Sequence, residues 1–222
     1  MIDYRGFIAA GDSTRAAGTV VIFHGNAGAA YHRTFYIDAL QAQGLRVILA
    51  EYPGYGGRPG KPSESLLIED AVATIRHARR AFPGPLYLWG ESLGCGVVGG
   101  VVERLAKLDV HGRSEQQVAG IVLMLPWDSL TRVAQVHYKL LPVSWLLHDR
   151  YPTTERMQHY RGKVAVIVAS EDEIIPPPHS LQLYHALPTT KKLWLLEGAT
   201  HNQLPIGPDQ PWWREVARFL TP

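Results

Sequence analysis

The chain has 222 residues, the length of one ordinary domain, and its 46% hydrophobic and 19% charged residues are typical of a globular rather than a disordered protein. The net charge of +2 comes from basic and acidic residues mixed along the chain, so no nucleic-acid partner is expected. The lone cysteine, Cys95, cannot form an internal disulfide, and no run of about 18 apolar residues predicts an integral membrane segment.

Short runs of β-branched and other apolar residues predict the strands of a sheet. These runs are Gly18–Phe23, Leu45–Glu51, Leu86–Trp89, Ala119–Leu125, Val164–Ala169 and Lys192–Leu196. They are nearly continuous in apolar residues, which is typical of parallel strands buried on both faces. Helix-like segments alternate with them, at Tyr31–Gln43, Ser63–Phe82, Ser92–Leu108, Pro178–Leu187 and Pro211–Leu220. This alternation predicts an α/β fold with a mostly parallel central sheet flanked by helices.

Residues 126–161 interrupt this alternation, because they carry no strand signal and mix aromatic, apolar and charged residues. We interpret them as a small helical cap insertion above the carboxyl edge of the sheet, within a single domain that spans residues 1–222. Its apolar side chains could line a pocket or could pack the insertion on the sheet, and the sequence favours neither. These side chains are Leu140, Leu141, Trp145, Leu146 and Leu147.

A G-x-S-x-G motif, Gly90–Gly94, lies between the predicted strand Leu86–Trp89 and an apolar helix-like run. A serine on such a sharp strand-to-helix turn projects its hydroxyl above the sheet, and the flanking glycines leave room for the turn. The motif occurs by chance in other α/β proteins, where it is a plain glycine turn. Its position after a strand favours Ser92 as a nucleophile.

Two further candidates follow later strands. Asp172 lies directly after Val164–Ala169, and His201 lies after Lys192–Leu196. Both are therefore expected at the carboxyl edge of the sheet, where sites of open α/β folds form. Histidine can take the serine proton near neutral pH, and a carboxylate can orient the ring. We predict His201 as the general base and Asp172 as the orienting acid, with Glu171 as the next choice for the acid.

The segment that leaves the first strand reads His24-Gly25-Asn26-Ala27-Gly28. In a hydrolase with a G-x-S-x-G turn, one backbone N–H of the oxyanion hole comes from the residue after the nucleophile and another from this loop. We therefore predict Leu93 and Asn26 as the two donors, with Ala27 as an alternative to Asn26. Cys95 is expected to point into the core rather than to act in catalysis.

These motifs together resemble the Bem46-type branch of the α/β-hydrolases. The resemblance rests on His24–Gly28, Glu51–Gly56, Pro62-Ser63-Glu64, Asp70 and Gly90–Gly94, and it continues through Pro126–Leu130, Asp149-Arg150-Tyr151, Asp172…Ile175-Pro176 and Gly198…His201-Asn202. It implies the α/β-hydrolase fold, a Ser-Asp-His hydrolase, and no metal or organic cofactor. It implies little about the substrate, and the short insertion implies a comparatively open site.

The expected activity is hydrolysis of a carboxylic ester or thioester through an acyl-enzyme, on a small-molecule acyl substrate. Two alternatives stay open: an amide or peptide hydrolase with the same three residues, and a non-catalytic binding protein of the same fold. The first 15 residues lack the apolar core of a secretory signal, so the expected location is cytoplasmic. The sequence does not indicate an oligomeric state.

Overall fold

A computed structural model describes residues 6–8, 16–108 and 118–221 of the chain. Its seven-stranded sheet has the order β1-β3-β2-β4-β5-β6-β7. The strands are β1 (Gly6–Ile8), β2 (Gly18–Phe23), β3 (Leu45–Ala50), β4 (Leu86–Glu91), β5 (Gly120–Met124), β6 (Lys163–Ala169) and β7 (Lys191–Leu196). Strands β2 to β7 are parallel, as the apolar runs predicted, and all of their carboxyl ends therefore lie at one edge.

The sequence prediction omitted β1, which pairs antiparallel with β3 through Gly6↔Ala50 and Ile8↔Ile48. Three residues are too few to show a hydrophobic period, so this strand depends on its neighbour rather than on a local signal. Most of the N-terminal segment in which no secretory signal is predicted lies outside the described residues.

Helices connect the parallel strands and cover both faces of the sheet. They are α1 (Phe35–Gln41), α2 (Glu64–Ala81), α3 (Leu93–Leu108), α4 (Leu130–His137), α5 (Val143–Leu146), α6 (Thr153–Met157), α7 (Pro177–Ala186) and α8 (Pro211–Leu220). The helix predicted over Tyr31–Gln43 is instead a short 3-10 helix, Ala30–Arg33, followed by α1. Over the described residues, none of the helices combines the length and the apolar character that crossing a membrane would need.

Both faces of the sheet are buried, which explains why its strands show no alternation of polar and apolar residues. Along β4, Leu86 and Leu88 belong to the core under α2 and α3, whereas Tyr87 and Trp89 belong to the core under α1 and α8. Trp89 packs against Trp213 of α8, with ring centroids 5.3 Å apart. The sheet is thus a rigid middle layer whose carboxyl edge is free to hold loops.

The segment between β5 and β6 contains α4, α5 and α6, and the N-terminus of α2 anchors it. The Glu64 carboxylate accepts hydrogen bonds from the backbone N–H groups of Arg150 and Tyr151, at 2.6 and 3.1 Å. In return, Asp149 accepts a hydrogen bond from the Glu64 backbone at 3.0 Å. The Arg156 guanidinium also pairs with Glu64. A buried carboxylate on α2 therefore fixes the second half of this segment.

The sequence predicted that five apolar side chains of this segment either line a pocket or pack on the sheet. Both alternatives are wrong for four of the five. Leu140, Leu141, Trp145 and Leu146 are exposed, so they neither line a closed pocket nor pack on the sheet. Only Leu147 turns inward, towards a cavity described below. An apolar side chain in a sequence predicts burial on average, but here the backbone of the segment directs these side chains outwards.

Helix α3 lies very close to the sheet at one of its glycines and has more room at another. A glycine-to-alanine substitution should therefore change the free energy of unfolding in opposite directions at these two positions. A Cβ on Gly94 would lie 1.9 Å from the carbonyl oxygen of Phe23, whereas a Cβ on Gly99 meets nothing closer than 3.4 Å. We expect Gly94→Ala to reduce the free energy of unfolding by about 3 kcal/mol, through overpacking against backbone. Gly99→Ala should raise it by about 0.5–1 kcal/mol through helix propensity. Urea denaturation of both variants measures the difference, and equal effects would contradict the close packing.

Candidate active site

Ser92 lies on the turn between β4 and α3. Its φ of 51° is in the left-handed region, which costs about 1–3 kcal/mol for a residue other than glycine. The turn is held by hydrogen bonds from the Ser92 N–H to the Met124 carbonyl and from the Cys95 N–H to the Ser92 carbonyl, both 2.9 Å long. The neighbouring strand β5 thus supports the strained conformation that raises the hydroxyl above the sheet.

The two glycines of the motif are required by contact with backbone. A Cβ on Gly90 would lie 2.6 Å from the Gly94 carbonyl oxygen and 2.7 Å from the backbone of Cys95. A Cβ on Gly94 would collide with the end of β2. The turn can therefore form at this tightness only when both positions are glycine, as the sequence argument assumed.

The structure brings His201, Ser92 and Asp172 together, although they are far apart in the chain. The Nε2 atom of the His201 ring lies 3.1 Å from the Ser92 hydroxyl oxygen, and its Nδ1 atom lies 2.8 Å from Asp172 Oδ2. With Nδ1–H donating to the carboxylate, Nε2 is free to accept the hydroxyl proton. The arrangement has the geometry needed to activate an alcohol.

The acidic residues after β6 differ sharply in their surroundings. Asp172 is buried, and its Oδ1 atom accepts hydrogen bonds from the backbone N–H groups of Ile174 and Ile175, at 2.9 and 2.7 Å. Glu171 and Glu173 are exposed, and Glu173 receives only a 3.4 Å hydrogen bond from the His201 backbone. Of the three carboxylates, the Asp172 side chain is the one that contacts the histidine ring.

The two predicted oxyanion donors lie on either side of Ser92. Leu93 is the first residue of α3, so its N–H has no partner within the helix. Asn26 lies in the exposed part of the loop after β2, and its side-chain oxygen accepts a 2.6 Å hydrogen bond from the Tyr55 hydroxyl. Together with Ser92, both residues border one of the cavities at this edge.

Glu51, at the end of β3, holds the loop after β2 in place. Its carboxylate accepts hydrogen bonds from His24 Nε2 at 2.9 Å, from the Ala30 N–H at 2.8 Å and from the Tyr52 N–H at 3.1 Å. Burial raises the pKa of this carboxyl, but the hydrogen bonds outweigh burial, and the pKa lies below its ordinary value. A charged, buried carboxylate therefore fixes both ends of the loop that carries Asn26.

Glu91, the residue before Ser92, anchors the other side of the same loop. Its carboxylate accepts hydrogen bonds from Arg33 Nε and from the Tyr36 hydroxyl, each at 3.0 Å. Arg33 in turn donates a 3.1 Å hydrogen bond to the Ala27 carbonyl. Burial lowers the pKa of the Arg33 guanidinium, but Glu91 raises it by more, so Arg33 stays charged. Burial and then Glu91 raise the pKa of Tyr36 well above its ordinary value, which keeps its hydroxyl a donor.

Two cavities meet at Ser92. One has a volume of about 710 Å³ and includes His201 in its lining. Its other polar residues are Asn26, His32, Arg33, Glu91, Asn202 and Gln203. The second, of about 590 Å³, extends under α4. Its apolar residues include Leu67, Leu93, Trp127, Leu130, Val133, Leu147 and Ile175. A substrate with one polar and one apolar end could therefore straddle the hydroxyl.

The sequence argument missed Arg33, Glu51 and Glu91 as parts of this site. Glu51 and Glu91 each stand at the carboxyl end of a buried strand, a position where a charged residue needs a partner. That signal was available in the sequence, but the identity of the partners was not.

Cys95 was correctly placed in the core: it is buried, and burial raises the pKa of its thiol well above its ordinary value.

Glu51 makes the stability of the fold depend on pH. Because its pKa is lower in the folded state than the ordinary value of 4.5, its stabilising effect is complete above that pH and is lost as the pH falls through the lowered value. We expect Glu51→Gln to reduce the free energy of unfolding by about 1–3 kcal/mol at neutral pH, since the charge is lost and one of the two acceptor oxygens is replaced by an NH2 group that cannot accept from buried N–H donors. The deficit should shrink in acid.

Urea denaturation between neutral pH and pH ~3 measures this deficit. Glu69→Gln is the matched control, since Glu69 forms an exposed 3.4 Å ion pair with Arg104 and should change stability little. A deficit that is independent of pH would show that the Glu51 carboxylate does not stabilise the loop through its charge.

Comparison with known proteins agrees with the fold of the chain. The family model described as alpha/beta hydrolase fold matches residues 18–158, a range that includes Ser92 and ends before Asp172. An uncharacterized protein of Mycobacterium tuberculosis is 34% identical over 205 residues, which cover 91% of this chain and 69% of the relative.

A second relative is the lysophosphatidylserine lipase ABHD12 of Danio rerio, 30% identical over 190 residues, which cover 78% of this chain. The match covers 48% of that lipase, so the chain spans about half of its length. Among solved structures, the monoacylglycerol lipase of Paleococcus ferrophilus superposes with a TM-score of 0.68 at 21% identity, over 98% of this chain and 96% of that one. The predicted fold class is thereby confirmed, and the chain belongs to the α/β-hydrolase family.

Proposed function

We propose that this chain is a serine hydrolase that cleaves carboxylic esters or thioesters through an acyl-enzyme. The observation that carries the proposal is the position of the His201 ring, 3.1 Å from the Ser92 hydroxyl and 2.8 Å from Asp172. A weak nucleophile, a base and an orienting acid in this order are a recurrent arrangement for acyl transfer by an alcohol.

In the proposed reaction, Ser92 Oγ attacks the substrate carbonyl while His201 Nε2 takes the hydroxyl proton. The carbonyl oxygen gains negative charge and accepts hydrogen bonds from the N–H groups of Leu93 and Asn26. His201 then returns its proton to the leaving oxygen or sulfur, and the bond from that atom to the acyl carbon breaks. A water activated by His201 finally releases the acid and regenerates the Ser92 hydroxyl. Asp172 stabilises the charged ring in both halves of the reaction.

This mechanism assigns the two cavities. The leaving atom must receive its proton from His201, which lines only the larger, more polar cavity of the two. We therefore name the 710 Å³ space the leaving-group cavity and the 590 Å³ space the acyl cavity. The acyl cavity passes beneath α4, so residues 126–161 act as a cap on the acyl chain within a single domain.

The names of the relatives support an ester rather than an amide substrate. The ABHD12 relative is a lysophosphatidylserine lipase, and a structural neighbour is a monoacylglycerol lipase. Both names describe proteins that act on esters with one apolar and one polar part, which agrees with the pair of cavities. The narrower resemblance to the Bem46-type branch and a cytoplasmic location remain predictions.

Labelling with a fluorophosphonate probe tests the nucleophile. We expect Ser92→Ala to abolish labelling and to lower kcat on p-nitrophenyl esters by about a millionfold, because it removes the hydroxyl that lies 3.1 Å from the His201 ring. The matched control is Ser65→Ala, which removes an exposed hydroxyl on α2 and should label like the wild type. Adding His201→Ala to Ser92→Ala should cost little more, since the residues act as a unit. Equal labelling of wild type and Ser92→Ala would favour a non-catalytic binding protein.

Substitutions on α4 test the assignment of the acyl cavity. Val133 is buried and lines that cavity, whereas Val136 on the same helix is exposed. We expect Val133→Trp to lower kcat/KM for p-nitrophenyl octanoate relative to acetate by at least about tenfold, because the ring occupies the space of the longer chain. Val133→Ala should shift the ratio the other way, and Val136→Trp should leave it unchanged.

The chain-length ratio is measured only on variants that retain fluorophosphonate labelling, so that a misfolded protein is not counted. A ratio that stays at the wild-type value in both Val133 variants would place the acyl chain elsewhere. A parallel panel of matched esters, thioesters and anilides identifies the bond that is cleaved, and anilide turnover exceeding ester turnover would favour the amide hydrolase.

A further inference from the structure

The cap carries an exposed apolar surface that the hydrolytic mechanism does not use. We call it the cap patch, and it consists of Tyr138, Leu140, Leu141, Trp145 and Leu146. Leu140 is 98% exposed and Trp145 is 86% exposed. The other five tryptophans of the chain are all buried. Large apolar side chains collected on one exposed segment are uncommon on monomeric proteins and mark an interaction surface.

Hydrogen bonds within the cap keep this patch in its outward orientation. The Gln135 side chain on α4 donates to the carbonyl oxygens of Tyr138 and Leu141, at 3.1 and 3.2 Å. The Arg150 guanidinium donates a 3.1 Å hydrogen bond to the Ser144 carbonyl. The backbone polar groups of the segment are thus bound from the protein side, while the Leu140 and Trp145 side chains remain outside. The exposure belongs to an ordered segment rather than to a frayed loop.

Charge around the patch selects the kind of partner. Residues 130–150 contain Arg132, Lys139 and Arg150 but one acidic residue, Asp149, and Arg132 forms an ion pair with Asp128. Lys139 and Arg150 are the exposed basic residues that remain beside the patch. Asp149 is turned inward, where it accepts the hydrogen bond from the Glu64 backbone. Exposed leucine and tryptophan next to basic side chains match a surface that is apolar inside and negatively charged outside. An anionic lipid bilayer has this composition.

The position of the patch connects it with the acyl cavity. Tyr138 belongs to the patch and also lines that cavity, and Leu147, which lines it too, follows Leu146 directly in the chain. An acyl chain leaving a bilayer beside Tyr138 could therefore enter the cavity without crossing bulk water. Tryptophan and tyrosine also suit the interface of a membrane, because each has an apolar body and a polar tip.

We propose that the cap patch docks this protein peripherally on membranes that contain anionic lipids, with Leu140 and Trp145 inserted between the lipids and Lys139 against their headgroups. The delivery of an acyl chain to the cavity rests on the proposed function, but the docking does not. Both can therefore be tested separately, and binding is measured with the Ser92→Ala variant, which cannot consume the lipid.

Vesicle flotation tests the docking. We expect Ser92→Ala protein to float with vesicles of phosphatidylglycerol mixed with phosphatidylcholine, and to bind phosphatidylcholine alone more weakly. Adding Leu140→Ser and Trp145→Ser together should lower the affinity by at least about tenfold, a loss of about 1.4 kcal/mol. Lys139→Glu should lower it about tenfold on the anionic vesicles and little on neutral ones. Leu195→Ser, at an exposed leucine of β7, is the matched control and should bind like its parent.

Tryptophan fluorescence provides a readout that depends on one residue. Because Trp145 is the exposed tryptophan among the described residues, insertion should shift its emission to the blue and protect it from iodide quenching. Trp145→Phe should keep most of the binding but lose both changes. The unfolding midpoint of each variant tests whether the fold is retained. We expect it to stay at the wild-type value, because the substituted side chains are exposed.

Three results would overturn the proposal: no binding to either kind of vesicle, binding that the patch substitutions do not weaken, or binding without a change in Trp145 emission.

A second copy of the chain is the competing occupant of the patch. Sedimentation velocity identifies it, because a dimer abolished by Leu140→Ser with Trp145→Ser, in a protein that does not bind vesicles, assigns the patch to self-association. Vesicle binding by a protein that hydrolyses no ester would refute the proposed function and leave the docking intact.

Discussion

The close approach of α3 to the ends of β2 and β4 is the constraint on which the site depends. Gly94 lies so near the Phe23 carbonyl that a Cβ has no room, and a Cβ on Gly90 would lie 2.7 Å from the backbone of Cys95. This contact forces the sharp turn at Ser92 and its positive φ. It also brings the first N–H of α3 beside the loop that follows β2. The predicted nucleophile, Ser92, and both predicted oxyanion donors therefore depend on one packing contact between backbones.

Packing alone would leave the loop after β2 without support, because it contains three exposed residues, 26–28. A buried carboxylate, Glu51, and a half-buried one, Glu91, supply that support from opposite sides. Glu51 binds His24 and Ala30, and Glu91 acts through Arg33 on Ala27. Each carboxylate has several donors, so neither is a buried charge without compensation. The proposed oxyanion hole needs donors that are in position before charge develops, and a loop held from both sides is suited to that requirement.

The sequence was sufficient to predict that three side chains which follow strands lie close together. Ser92, Asp172 and His201 each stand after a continuous apolar run, and the parallel sheet brings such positions to one edge regardless of their distance in the chain. It was insufficient for Arg33 and Glu91, whose pairing joins residues 58 positions apart and depends on how the 3-10 helix Ala30–Arg33 packs against the end of β4. The sequence also did not predict β1, because this strand is too short to show a hydrophobic period. Local patterns thus predict strand ends, whereas the partners of buried charges follow from packing.

The cap shows a different limit of sequence reasoning. Hydropathy treats Leu140 and Leu147 alike, yet one is almost fully exposed and the other borders the acyl cavity. The difference arises from Gln135 and Arg150, which bind the carbonyl groups of residues 138–144 and thereby decide which side chains turn outward. The cost of hydrating those apolar side chains is present whenever the patch is uncovered. That cost is recovered when an apolar surface covers the patch, so the same hydrogen bonds that expose the leucines also create the driving force for docking.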